Sequence, residues 1–270
     1  MSDPFFDRLA ARVEAVDSVV SVGIDPRLDR TPSFLADHDL PRWAFARRVI
    51  DATHTHAAAV KPNAAFFEDA DGWRALRETI AYAHGKDLPV VLDAKRGDVG
   101  PTARQYAQNV ADIGADAVTV SPYMGRDSVE PFLAQDLGVF VLCRTSNAGG
   151  ADLQDRDLAT GEPVYERVAA LADLWNDREN VGLVVGATAP AELEAIREAV
   201  PDLPFLVPGV GAQGGAVEAA AEFGLADGVG LVNSSRGIIY AGDEHDAERP
   251  YFAAAGTAAK RLKRRLNEYR

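Results

Sequence analysis

Eight short apolar runs, each followed by a longer amphipathic or alanine-rich segment, set the tightest limit on how this 270-residue chain can fold. The runs occupy residues 19–25, 57–62, 89–95, 115–121, 139–145, 181–187, 205–209 and 228–233. Continuous apolar runs of this length read as strands buried on both faces. Helical segments are expected between them, among them 41–54, 72–85, 101–113, 164–177, 190–200 and 215–223, with a final helix over 251–267. No linker or low-complexity stretch interrupts the series. Repeated strand-then-helix units predict an α/β fold, a closed (β/α)8 TIM barrel, as one domain over residues 1–270. A doubly wound open sheet is the alternative, and it would carry a glycine-rich fingerprint after its first strand. Gly23-Ile24-Asp25-Pro26 does not match that fingerprint.

The barrel reading gives the charged residues a place, because barrel sites form at the C-terminal strand ends. The first strand ends at Asp25, the second delivers Lys61, and the third delivers Asp93 and Lys95. Alternation along a strand puts Asp93 and Lys95 on one side, and neighbouring strands lie about 4.8 Å apart, so all four can reach a common mouth. Gly97 breaks the third strand and leaves Asp98 on the following loop. A lone Asp-x-Lys is as often a strand-end ion pair as a site. Four charges of alternating sign on three adjacent strands point to chemistry, because such a cluster is costly to hold half-buried unless its charges compensate. Across the barrel, Gly209, Gly211 and Gly214 lie in a glycine-rich loop after the seventh strand, and Asn233-Ser234-Ser235-Arg236-Gly237 follows the eighth. Barrels bind phosphate at these two loops through backbone N–H groups, and Arg236 offers a fork matched to phosphate oxygens.

Composition narrows the partners. The net charge of −13 is opposite to a nucleic-acid-binding surface. The basic cluster of Lys260, Arg261, Lys263, Arg264 and Arg265 lies in the expected last helix, where it suits a helix C-terminus. Only five lysines stand against 23 arginines; acidic excess with few lysines fits either a salt-rich cytoplasm or ordinary acidic solubility. The single cysteine, Cys143, excludes an intrachain disulfide and reads as core filler in a strand. The N-terminus lacks the basic and apolar regions of a signal peptide, and no run approaches membrane-spanning length. A soluble, cytoplasmic protein without a membrane or nucleic-acid partner is expected.

The motifs together resemble the orotidine 5′-phosphate decarboxylase family, in its longer bacterial and archaeal branch, over nearly the whole chain. Asp93-Ala94-Lys95-Arg96-Gly97-Asp98-Val99 with Thr102 is the specific signature. Gly23-Ile24-Asp25-Pro26, Val60 through Glu68, Ser121-Pro122-Tyr123-Met124-Gly125, Cys143 through Asn147, Pro208 through Gly215 and Ser235 through Tyr240 fit the family's other loops. Ala148 departs from it, standing where proline is expected. The resemblance implies that Lys61, Asp93, Lys95 and Asp98 form an alternating charge network, with Lys95 protonating C6 of the pyrimidine and Asp93 beside the departing carboxylate. It implies ribose contacts from Asp25, Lys61 and Thr102, a pyrimidine contact from Ser146, and a phosphate clamp of Gln213 and Arg236. It further implies orotidine 5′-phosphate as substrate, UMP as product, no cofactor or metal, and a homodimer in which Asp98 and Thr102 reach the partner's site.

Two other readings compete. A metal-dependent sugar-phosphate lyase of the same barrel family, such as a 3-keto-gulonate-phosphate decarboxylase, carries a glutamate ligand at the second-strand position. Lys61 stands there, and its ammonium repels a divalent ion. A non-catalytic barrel that binds a nucleotide phosphate needs the phosphate loops but not the Lys-Asp-Lys array. His38, His54, His56, His84 and His245 all fall outside the motifs.

Overall fold

A computed structural model describes residues 4–210, 216–225 and 228–270. Eight parallel strands form its centre: β1 (Val20–Ile24), β2 (Ala59–Pro62), β3 (Val91–Arg96), β4 (Ala117–Val120), β5 (Gly138–Arg144), β6 (Val181–Val185), β7 (Phe205–Pro208) and β8 (Leu231–Ser234). Seven ladders join them in the order β2-β1-β8-β7-β6-β5-β4-β3. Two parallel bridges, Val60 to Val90 and Asn63 to Asp93, bring β2 against β3 and round the sheet into a barrel. Each expected strand is present, its bounds shifted by at most three residues at either end. The largest trim is at β8, which starts after Gly228 has turned the chain at φ +82°. Strands β1, β2, β4, β6 and β8 are buried at every residue, so their sequences show mostly apolar or small residues rather than hydrophobic–polar alternation.

Ten helices accompany them: α1 (Phe5–Val16), α2 (Pro41–Thr53), α3 (Ala70–His84), α4 (Gly100–Asp112), α5 (Arg126–Leu133), α6 (Val164–Leu174), α7 (Pro190–Ala199), α8 (Val217–Glu222), α9 (Arg236–Ile239) and α10 (Glu248–Asn267), counted among the described residues. Proline opens α2 and α7, where its missing N–H would have had no helical partner. The Asp69 carboxylate caps α3 by accepting the Gly72 N–H at 2.7 Å. Helix α1, absent from the sequence expectations, buries Phe5, Phe6, Leu9 and Val13. Its Phe5 and Phe6 rings meet Phe140 edge-on, with centroids 6.1 and 5.5 Å away. Cys143 is buried in β5 and donates to the Tyr165 carbonyl, and burial pushes its thiol above the ordinary range, as befits core filler. Among the described residues no helix is long and apolar enough to cross a membrane.

Candidate active site

The C-terminal ends of β2 and β3 converge on one carboxylate. Asp93 is 9% exposed and Lys61 only 4%, and the Lys61 ammonium contacts one carboxylate oxygen of Asp93. The Lys95 ammonium contacts the other. Burial pushes the Asp93 pKa up, but the two ammonium groups outweigh it and hold the carboxyl well below its usual range. Asp93 is therefore ionised at neutral pH, and the array of two cations and one anion has a net charge suited to an anionic ligand. The two lysines differ in access: the Lys61 side chain is 5% exposed and that of Lys95 50%.

Strand alternation is not what joins Asp93 to Lys95. The β3–β4 register steps from Leu92 opposite Val118 to Arg96 opposite Val120, so residues 93–95 bulge against Thr119 alone. Within the bulge Lys95 takes φ +47°, a left-handed conformation that costs a non-glycine residue roughly 1–2 kcal/mol. Thr119 braces it. Its hydroxyl accepts the N–H groups of Ala94 and Lys95 at 3.0 and 2.9 Å and donates to Asp93 at 3.1 Å. Nothing in the sequence flagged Thr119, because a threonine in an apolar strand looks like any β-branched core residue.

The opposite wall comes from β1 and β8. Asp25, just beyond β1, accepts from the Ser235 hydroxyl at 2.7 Å through one oxygen, while its other oxygen, Oδ1, is buried with no protein partner. The Tyr240 hydroxyl donates to the Asp25 carbonyl at 3.0 Å and accepts the Arg27 N–H at 2.9 Å. Glycine at 23 allows this approach, since a Cβ there would lie 2.7 Å from Cβ of Ser235. A cleft of about 400 Å³ opens between the two walls. Asp25, Lys61, Asp93, Ser146, Gly209 and Arg236 all line it, along with Asn63, Tyr240 and Ser235. Arg236 is exposed at the start of α9, and Gly209 adopts φ +96°, which glycine takes without strain.

Some expected site residues lie elsewhere. Neither Lys95, which is held to Asp93, nor Asp98 is among the cleft residues; the Asp98 carboxylate accepts the neighbouring Val99 N–H at 2.8 Å. Thr102 is exposed on the first turn of α4 and also outside the cleft. Gly211, Gln213 and Gly214 lie outside the described residues. No group of three or more His, Cys, Asp or Glu side chains is placed to hold a metal ion among the described residues.

This geometry can be set beside known proteins. The family profile described as "Orotidine 5′-phosphate decarboxylase / HUMPS family" matches residues 18–251. The chain belongs to this family. It is 70% identical to an orotidine 5′-phosphate decarboxylase of Halorubrum lacusprofundi, over 98% of this chain and 99% of that protein. Among solved structures, OMP decarboxylase of Leishmania donovani superposes with a TM-score of 0.84 at 42% identity, covering 98% of both chains. UMP synthase of the same organism gives 0.87 at 44% identity, over 99% of this chain but only 57% of its own. The barrel of these family structures is the architecture found here, and the relatives' name denotes a carboxy-lyase.

Proposed function

We propose that this chain converts orotidine 5′-phosphate to UMP and CO2, the last step in making the pyrimidine nucleotide, without a metal or organic cofactor. The observation that carries the reading is the Lys61–Asp93–Lys95 array in a member of this family, with Lys61 and Asp93 lining the cleft and Lys95 held to Asp93. Loss of CO2 from C6 of the pyrimidine leaves a vinyl carbanion that the ring cannot delocalise. A fixed ammonium at Lys95 stabilises that charge and delivers the proton that completes UMP. The half-exposed Lys95 suits this task better than the buried Lys61, which together with Asp93 holds the field in place. Asp93 would lie beside the departing carboxylate.

The remaining roles follow the walls of the cleft. The unpartnered Oδ1 of Asp25 is suited to a hydroxyl donor, and the ribose supplies one; Lys61 is its neighbour in that role. Ser146 is assigned to the pyrimidine amide edge. Arg236, Gln213 and the loop of Gly209, Gly211 and Gly214 are assigned to the phosphate. Phosphate binding far from C6 adds energy that organises the site for the transition state. The other two assignments, Asp98 and Thr102, belong to the partner's cleft in a homodimer. Support comes from their position outside their own cleft, on a stretch of chain that also exposes the apolar Val99. One barrel domain over residues 1–270, working in the cytoplasm, completes the proposal. A metal-dependent sugar-phosphate lyase is disfavoured by Lys61, which ion-pairs with Asp93 where that enzyme would need a ligand. A non-catalytic phosphate-binding barrel has no use for the charge array.

The test is the fall in absorbance when purified protein meets orotidine 5′-phosphate, before and after prolonged chelation. Equal turnover in both supports the reading. Activity lost to EDTA and restored by magnesium would contradict it, as would tight UMP binding without turnover.

A further inference from the structure

Thr119 lies outside the cleft and is 1% exposed, so it can act only through its neighbours. A hydroxyl has one proton and two acceptor lone pairs. Both lone pairs of Thr119 are taken, by the N–H groups of Ala94 and Lys95, so its proton is directed to Asp93. One side chain thus ties the backbone that carries one lysine of the array to the carboxylate between both lysines. It does so at the point where three residues of β3 face one of β4 and Lys95 sits in the left-handed region.

We propose that Thr119 is a positioning residue for the decarboxylation proposed above: its hydroxyl holds the β3 bulge and so aims the Lys95 ammonium at the reacting carbon. The inference rests on that reading of the site. The hydrogen bonds of Thr119 go to Asp93 and the backbone of Ala94 and Lys95, and not to Asp25, Lys61 or Arg236, which are assigned to ribose or phosphate. Its loss should therefore slow the chemical step and spare ground-state binding. A general structural role would weaken both.

Thr119→Val keeps the shape of the side chain and removes all three hydrogen bonds. We expect kcat to fall about a hundredfold, the size of effect that a misplacement near 1 Å produces. KM and the Kd for UMP should stay within about threefold of wild type, the pattern left when an interaction specific to the transition state is lost. Thr119→Ser, which keeps the hydroxyl, should recover kcat to within about threefold of wild type. If Thr119→Val does not fold, Thr119→Cys takes its place with the same expectation, since its thiol is a much weaker hydrogen-bonding group. An unchanged kcat would overturn the inference. So would a loss of UMP affinity in step with kcat, or a serine variant as impaired as the valine one. Wild-type protein is assayed first: failure to turn over orotidine 5′-phosphate there contradicts the decarboxylase reading, whereas wild-type turnover with an unimpaired Thr119→Val contradicts only the role of Thr119.

Discussion

At the scale of single residues, charge and access divide the labour around the cleft. Asp93 stays ionised because two ammonium groups outweigh its burial. Its folded-state pKa is depressed, so it contributes stability above the ordinary carboxyl range that is lost as pH falls through the depressed value. Arg236 is a surface group with a separate assigned task, and removing it should not disturb the charge array. Arg236→Ala should weaken UMP binding at least about tenfold, the value of a charge-assisted phosphate contact, and leave uridine binding nearly unchanged. Titration calorimetry with both ligands checks this, and unchanged UMP affinity would misplace the phosphate site. Asp25, Lys61, Asp93 and Lys95 were legible in the sequence because charge at the end of an apolar run is conspicuous. The bulge was not legible, since strand alternation also predicts that Asp93 and Lys95 meet. Thr119 was hidden, and Tyr240 lay in a matched motif without a role, for a related reason: their importance lies in hydrogen bonds to residues 24–26 and 213–215 positions away in sequence.

At the scale of elements, the strand-and-helix alternation was readable because each unit repeats one pattern. Helix α1 escaped although Phe5, Leu9 and Val13 follow a four-residue spacing, because it precedes the first strand and lies outside the repeat. It anchors a polar cluster beneath the barrel. The Asp116 carboxylate, just before β4, accepts from Arg8 of α1 at 2.7 Å, from the Val90 N–H at 2.8 Å, and pairs with His84 of α3 at 2.8 Å. The hydrogen bond to Asp116 raises the His84 pKa above 6.5, against burial and the nearby Arg8. A raised folded-state pKa means the pair's stabilisation is complete below the unfolded value and is lost as pH rises through the folded one. Wild type should therefore melt higher than His84→Gln at about pH 6, with the gap closing towards about pH 9. A gap that widens with rising pH would contradict this account of the cluster.

At the scale of the whole molecule, the net charge of −13 and the scarcity of lysine imply self-repulsion that salt relieves. The melting temperature should rise from low salt to about molar KCl, where the Debye length falls to about 3 Å; a steady fall would contradict this. The proposed dimer makes a sharper demand. Lys95→Ala and Asp98→Ala homodimers should each be nearly inactive. In a mixed dimer one site inherits both lesions and the other neither, so refolding an equal mixture makes about half the dimers mixed and restores roughly a quarter of wild-type activity. No recovery, with mixed dimers verified by mass, would contradict shared sites. The central claim is that the cleft decarboxylates orotidine 5′-phosphate with Lys95 as proton donor. The most direct measurement compares single-turnover conversion by wild type and Lys95→Ala, alongside the Kd of each for UMP. The account predicts rapid conversion by wild type, almost none by the variant, and UMP affinities within about tenfold of each other. Comparable conversion by Lys95→Ala, or none by wild type, would contradict it.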